Sequence, residues 1–210
     1  MLNGLIASGM ALSTLLAPTS GPFDSPPSDE IVIDVATVNG SGCPEGTANV
    51  AVSPDNKAFT VTYSDYLAEV GPDADPTAFR KNCQLNLVVH VPQGLTYGIA
   101  RADYRGFAHL AEGATGTQQA SYYFQGDSRT THSSKTFEGS YSDNWQVTDE
   151  TEIADIVYKP CGVQRNFNIN TELRVDAGDS DSSETSFMTM DSTDGSIETT
   201  YHFAWKECAS

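Results

Sequence analysis

Four histidines, His90, His109, His132 and His202, are the first residues to weigh for chemistry. None sits in a His-Glu-x-x-His arrangement or another metal-ligand spacing, and His90 and His202 fall on the polar faces of alternating segments, so they read as solvated or edge histidines. Gly126-Asp-Ser-Arg129 looks like the opening of a lipase-type nucleophile motif. That motif needs a strand-to-helix turn in an α/β sheet, and here the tetrapeptide follows a short aromatic strand, so it reads as a turn. Glycoside hydrolysis needs two carboxylates about 5–10 Å apart across a cleft. Glu172 and Glu198 sit on alternating segments that could supply them, whereas Asp149 and Glu152 are better explained as a helix-capping pair. No catalytic residue is therefore assigned. The acidic run Asp176-Ala-Gly-Asp-Ser-Asp181, continuing to Glu184, has calcium-like oxygen density without EF-hand spacing, and Asp191 and Asp194 lie in a second acidic turn. Both read as solvated turns, with no metal or cofactor expected.

Aromatic side chains offer another kind of site. Tyr122, Tyr123 and Trp145 are the candidate ligand-binding residues: flat rings stack on apolar sugar faces, and Trp145 has polar neighbours. Core burial is the competing fate of each ring. Asn39-Gly40-Ser41 is the single N-glycosylation sequon, relevant in a eukaryotic secretory pathway.

The four cysteines, Cys43, Cys83, Cys161 and Cys208, bear on compartment rather than catalysis. There is no Cys-x-x-Cys, and the nearest histidine to any cysteine is His202, so zinc is not indicated. An even count behind a leader implies two disulfides. Three connectivities are open. The sequential one, Cys43–Cys83 with Cys161–Cys208, is favoured and would contribute about 4 kcal/mol per bridge at most. The leader is the apolar run Leu5 to Ala17 ahead of the Pro/Ser/Asp stretch Pro18 to Asp29. A signal peptide is expected over residues 1–20, cleaved between Ala17 and about Asp24, then a flexible segment over 21–29 and one domain over 30–210. No later run reaches the ~20 apolar residues of a membrane span. Eleven basic residues face 28 acidic ones, a net charge of −17, which repels phosphate backbones and anionic lipids. Nucleic-acid and membrane-surface binding are thereby set aside.

Past Asp29 the apolar pattern has period two. Strands are predicted over Ile31 to Val38, Ala48 to Val52, Ala58 to Tyr63, Gln84 to Val91, Thr96 to Tyr104 and Ser121 to Gln125. More follow over Lys135 to Ser140, Asn144 to Thr148, Asn166 to Val175, Ser186 to Met190 and Ile197 to Trp205. Ser53-Pro-Asp-Asn56 makes a hairpin of the second and third. Gly98 marks a bulge or a close backbone approach. A short helical turn is expected near Thr77 to Lys81, after Asp75-Pro76, and an amphipathic helix from Asp149 to Val157, ended by Pro160. The pattern is all-β: an antiparallel β-sandwich or jelly roll with one or two short helices.

Several blocks carry a resemblance: Val38-Asn-Gly-Ser-Gly-Cys-Pro-Glu-Gly-Thr47, Phe79-Arg-Lys-Asn-Cys-Gln-Leu85, Tyr104-Arg-Gly-Phe-Ala108, Cys161-Gly-Val-Gln-Arg-Asn-Phe167, Ser192-Thr-Asp-Gly195 and Tyr201-His-Phe-Ala-Trp-Lys206. Together the chain resembles the secreted family catalogued as domain of unknown function 4360, over nearly all of residues 30–208. The resemblance implies a secreted β-rich domain with two disulfides and implies no activity. Three functions remain in view: non-catalytic extracellular binding of a surface glycan or protein, a secreted polysaccharide-directed hydrolase, and a structural envelope or matrix protein.

Overall fold

The computed structural model describes residues 23–190 and 198–209. The expected leader, the acidic turn at Asp191 and Asp194, and the strand start at Ile197 lie outside the described residues. Alternating side chains give twelve strands: β1 (Val32–Asn39), β2 (Ala48–Val52), β3 (Ala58–Tyr63), β4 (Leu67–Val70), β5 (Arg80–His90), β6 (Leu95–Leu110), β7 (Thr115–Phe124), β8 (Thr131–Glu138), β9 (Tyr141–Glu150), β10 (Phe167–Asp176), β11 (Ser186–Thr189) and β12 (Thr199–Glu207). All pair antiparallel, in two packed sheets: β1-β5-β10-β7-β8 and β2-β3-β12-β6-β11-β4, with β9 also on β6. The architecture is an all-β sandwich, as the alternation predicts.

The inward faces share one core. Phe167, Ile169, Thr171, Leu173 and Val175 of β10 meet Tyr201, Phe203 and Trp205 of β12 and Phe59 and Val61 of β3, all buried. Tyr97 lies at the centre, edge-on to Phe124 at 5.3 Å and Phe203 at 5.5 Å, an arrangement that places positive ring edges on negative ring faces. Tyr66 and Thr171 join hydroxyls at 3.1 Å, linking the β3–β4 connection to the opposite sheet. Among the described residues, the hydroxyls of Tyr63, Tyr97, Tyr104 and Tyr201 are buried without a hydrogen-bond partner.

The Ser53-Pro-Asp-Asn56 turn does more than close a hairpin. Asn56 takes the left-handed conformation at φ 54°, which a short polar side chain tolerates. Its Nδ2 donates to the carbonyls of Pro27 (3.0 Å) and Asp29 (2.8 Å), its Oδ1 accepts from the Ile31 amide, and its carbonyl accepts from Trp205 Nε1 at 2.9 Å. One turn residue thus pins the N-terminal segment across β12.

The disulfides are Cys43–Cys83 and Cys161–Cys208, spanning 40 and 47 residues. The first ties the β1–β2 connection to β5, and the second ties the segment after β9 to the end of β12.

The helix expected over Asp149 to Val157 is corrected. β9 runs on to Glu150, and only a 3₁₀ turn, Ile153–Asp155, follows, with no side-chain cap from Glu152. Asp149 pairs with Ala102 in the β6 ladder, the Thr151 amide donates to the Ala100 carbonyl at 2.9 Å, and the Lys159 amide donates to the Tyr97 carbonyl at 2.9 Å. Pairing with β6 takes the backbone groups a helix would need. Gly98 permits it: a Cβ there would lie 2.7 Å from the Val157 carbonyl oxygen, so the expected close approach is real. The helical turn near Thr77 to Lys81 is also corrected to a plain turn. Asp75 Oδ1 accepts from the Thr77 amide at 2.7 Å, and the chain enters β5 at Arg80, drawn into the ladder opposite Arg174.

The two classes of buried tyrosine make a test. Tyr66→Phe should cost about 1 kcal/mol by orphaning Thr171, whereas Tyr97→Phe should leave stability unchanged or raised, since its hydroxyl has nothing to lose. Urea denaturation midpoints compare them; a larger loss at Tyr97 would contradict the described interior.

Candidate functional site

Because inward positions of the five-stranded sheet are filled by core, its outward positions are free for chemistry. Reading across strands, Gln84 of β5, Asn170 of β10, Ser121 of β7 and His132 of β8 form one row. Asn82, Glu172, Gln119 and Ser134 form the next. These rows and Arg80 line an open groove of about 470 Å³. A third row, Asn86, Asn168 and Tyr123, borders it. Asn86 accepts from Asn166 at 2.7 Å and donates to Asn168 at 2.8 Å, so the carboxamides hold one another in place. Among the described residues, Asn170 Oδ1 is buried with no partner. Arg80 is bound to Glu172, whose hydrogen bond and charge hold the guanidinium in its charged form. Amides, hydroxyls and one neutralised ion pair make this face locally uncharged on a chain of net charge −17.

The three aromatic candidates are not gathered on one surface. Tyr123 lies half-buried on the outward face beside the groove. Tyr122 points inward, 5% exposed, and donates to Asp149 Oδ2 at 3.1 Å; burial pushes both the phenol and the Asp149 carboxyl above their ordinary values. Trp145 is 3% exposed, its ring packed over Gly106, where a Cβ would come within 2.4 Å of it. The four cysteines are spent in the disulfides. Glu172 and Glu198 belong to different sheets, Glu172 on β10 and Glu198 just before β12, so they are not brought together. In Gly126-Asp-Ser-Arg129, Asp127 accepts from the Arg129 side chain and amide, which hold its carboxyl down at about 2, and the segment turns from β7 to β8. In the acidic run, Asp181 Oδ1 accepts from the Ser183 amide and hydroxyl at 2.8 Å each. Among the described residues, no group of three or more His, Cys, Asp or Glu is placed to hold an ion.

A second cavity, of about 480 Å³, opens on the other sheet and includes Arg101, Glu150, His202 and Phe203. Arg101 and His202 on its rim are held by Asp103. Asp103, 5% exposed, accepts from Arg101 (2.8 Å), Thr148 (2.7 Å) and His202 Nε2 (3.0 Å). Burial alone would raise its pKa, but these three hydrogen bonds and the Arg101 charge outweigh it and hold the carboxyl below its ordinary range.

The sequence now has a context. Residues 29–208 match the family described as "Domain of unknown function (DUF4360)". The chain belongs to the DUF4360 family. A relative from Arthroderma benhamiae, named "Uncharacterized secreted protein", is 35% identical over 195 residues, covering 93% of this chain and 79% of the relative. This DUF4360 protein is accordingly a secreted, disulfide-bonded β-sandwich. Among solved structures, the cowpea mosaic virus top component aligns over 90% of this chain and 94% of its own at 11% identity, with a TM-score of 0.25, too low a likeness to inform the fold.

Sequence reasoning predicted the β10 strand and singled out Glu172 on it, and missed the rest of the groove. The readable signal was the matching alternation of Asn82, Gln84 and Asn86 in β5 and of Gln119 and Ser121 in β7. Asp103 supplies a test. A carboxyl with a lowered folded pKa stabilises the fold above its ordinary range and loses that contribution as pH falls through the folded value. Melting temperature should therefore drop on acidification below about pH 4, and Asp103→Asn should flatten that drop while lowering the neutral-pH value. Parallel acid profiles in both proteins would remove Asp103 from this role.

Proposed function

We propose that this protein binds an extracellular glycan, without catalysing a reaction on it, along the outer face of the five-stranded sheet. The observation that carries the reading is the array of carboxamides and hydroxyls over β5, β10, β7 and β8, interrupted by His132 and by the Arg80–Glu172 pair, lining the open groove. A sugar hydroxyl both donates and accepts, and a carboxamide offers a matching acceptor and two donors. Mutual hydrogen bonding among Asn86, Asn166 and Asn168 fixes these side chains beforehand, which lowers the ordering cost of binding. Asn170 Oδ1 needs a donor that no described residue provides, and a small rotation of the side chain would aim it at a bound hydroxyl. Tyr123 adds one partly exposed ring at the border.

The same chemistry argues against a protein partner on this face. Stable protein interfaces centre on buried aromatic or apolar anchors, and the two groove rows contain none. The local neutrality favours an uncharged glycan over an acidic one.

A glycan array followed by titration calorimetry tests the reading. Binding is expected to a class of uncharged oligosaccharides. Asn170→Ala should weaken it about tenfold, the effect of losing about 1.4 kcal/mol of hydrogen bonding, as should Gln119→Ala. Thr60→Ala, on the other sheet, should leave it unchanged. No binding to any glycan, or equal weakening by all three variants, would overturn the assignment.

A further inference from the structure

We propose that Asn39 carries an N-linked glycan standing at the β1 rim of the five-stranded sheet. The chain contains one sequon, Asn39-Gly40-Ser41. Part of that tripeptide has structural work. Gly40 turns at φ 141° against the Asn82 carbonyl, where a Cβ would lie 2.1 Å from the oxygen, and the Ser41 hydroxyl bonds Asn82. Neither contact explains the asparagine. Asn39 is the last residue of β1, an edge strand bonded only to β5. It is exposed, and no side-chain hydrogen bond engages its carboxamide among the described residues.

The register fixes its direction. Asn39 pairs with Gln84, which continues through Asn170, Ser121 and His132, so the side chain stands on the outward face, at the end of a groove row. The nearby Cys43–Cys83 bridge is buried, so a bulky group on Asn39 does not obstruct it. The secreted relative comes from Arthroderma benhamiae, and an Asn-x-Ser sequon exported through a eukaryotic secretory pathway is a substrate for N-glycosylation.

In the transfer itself, Asn39 Nδ2 attacks the anomeric carbon of an oligosaccharide carried on a lipid pyrophosphate. The C–N bond forms, the anomeric C–O bond breaks, the lipid pyrophosphate departs, and the amide gives up one proton. The reaction takes place on the entering chain, before Ser41 engages Asn82. Once folded, the sugar would stand at the end of an edge strand, blunting an edge otherwise open to pairing with other chains. This inference is independent of the groove's ligand.

The test is intact mass of protein secreted from a yeast host, before and after peptide N-glycosidase, with peptide mapping. The expected result is the loss of one glycan and conversion of residue 39, and no other, to aspartate. Asn39→Gln should emerge without a glycan, at a mass that the enzyme leaves unchanged; if that variant is not secreted, the wild-type peptide map alone decides. Secreted wild type with an unmodified Asn39 peptide and no mass change would overturn the proposal.

Discussion

Two twisted sheets stay together only if each hides one face from water, and this requirement organises the molecule. The hidden space is filled by aromatic rings set edge to face around Tyr97 and by the aliphatic row of β10. Directed bonds across it are sparse: Tyr66 to Thr171 is one, while four other tyrosine hydroxyls have no partner. Cohesion therefore rests on non-directional burial, and specificity of register comes from turns such as Asn56 and from the disulfides.

The same alternation that fills the interior leaves a second set of side chains with no structural duty. In the groove of the five-stranded sheet that set is mostly amide and hydroxyl, and its ion pair, Arg80 with Glu172, is internally balanced. On the other sheet the polar side chains close on themselves, with Asp103 absorbing donors from three residues. The contrast explains why the proposed binding role is assigned to the first face: Asn170 there has hydrogen-bonding capacity unspent among the described residues, whereas Asp103 on the other is fully engaged.

Much of this was legible in the residues. The bounds of β2 and β3 follow from their alternation and from the Ser-Pro-Asp-Asn turn, and the disulfide partners follow the sequential pairing. Where reading failed, a distant contact overruled a local signal. Asp149 and Glu152 carry a good capping pattern, yet pairing with β6 supplied more backbone hydrogen bonds than a short helix could. β4, four residues with one buried side chain, is too short to show a period. Trp145 lies between Asn144 and Gln146, and that flanking polarity is the alternation that turns the ring inward. The groove escaped for a topological reason: β10 inserts between β5 and β7, neither its neighbour in the chain, so half of each row comes from elsewhere.

The sixteen-residue strand β6 bonds β12 along its first half, β11 along its second and β9 on its opposite side. No member of the seven-stranded sheet beyond the β2–β3 hairpin can detach without disturbing this shared spine or a strand paired to it. Partial fraying is thereby discouraged, and opening becomes a cooperative, whole-molecule event. For a secreted protein, that arrangement denies a protease a loosened flap to cut around β6: cleavage there must wait for the rare moment when the strands bonded to it come apart together.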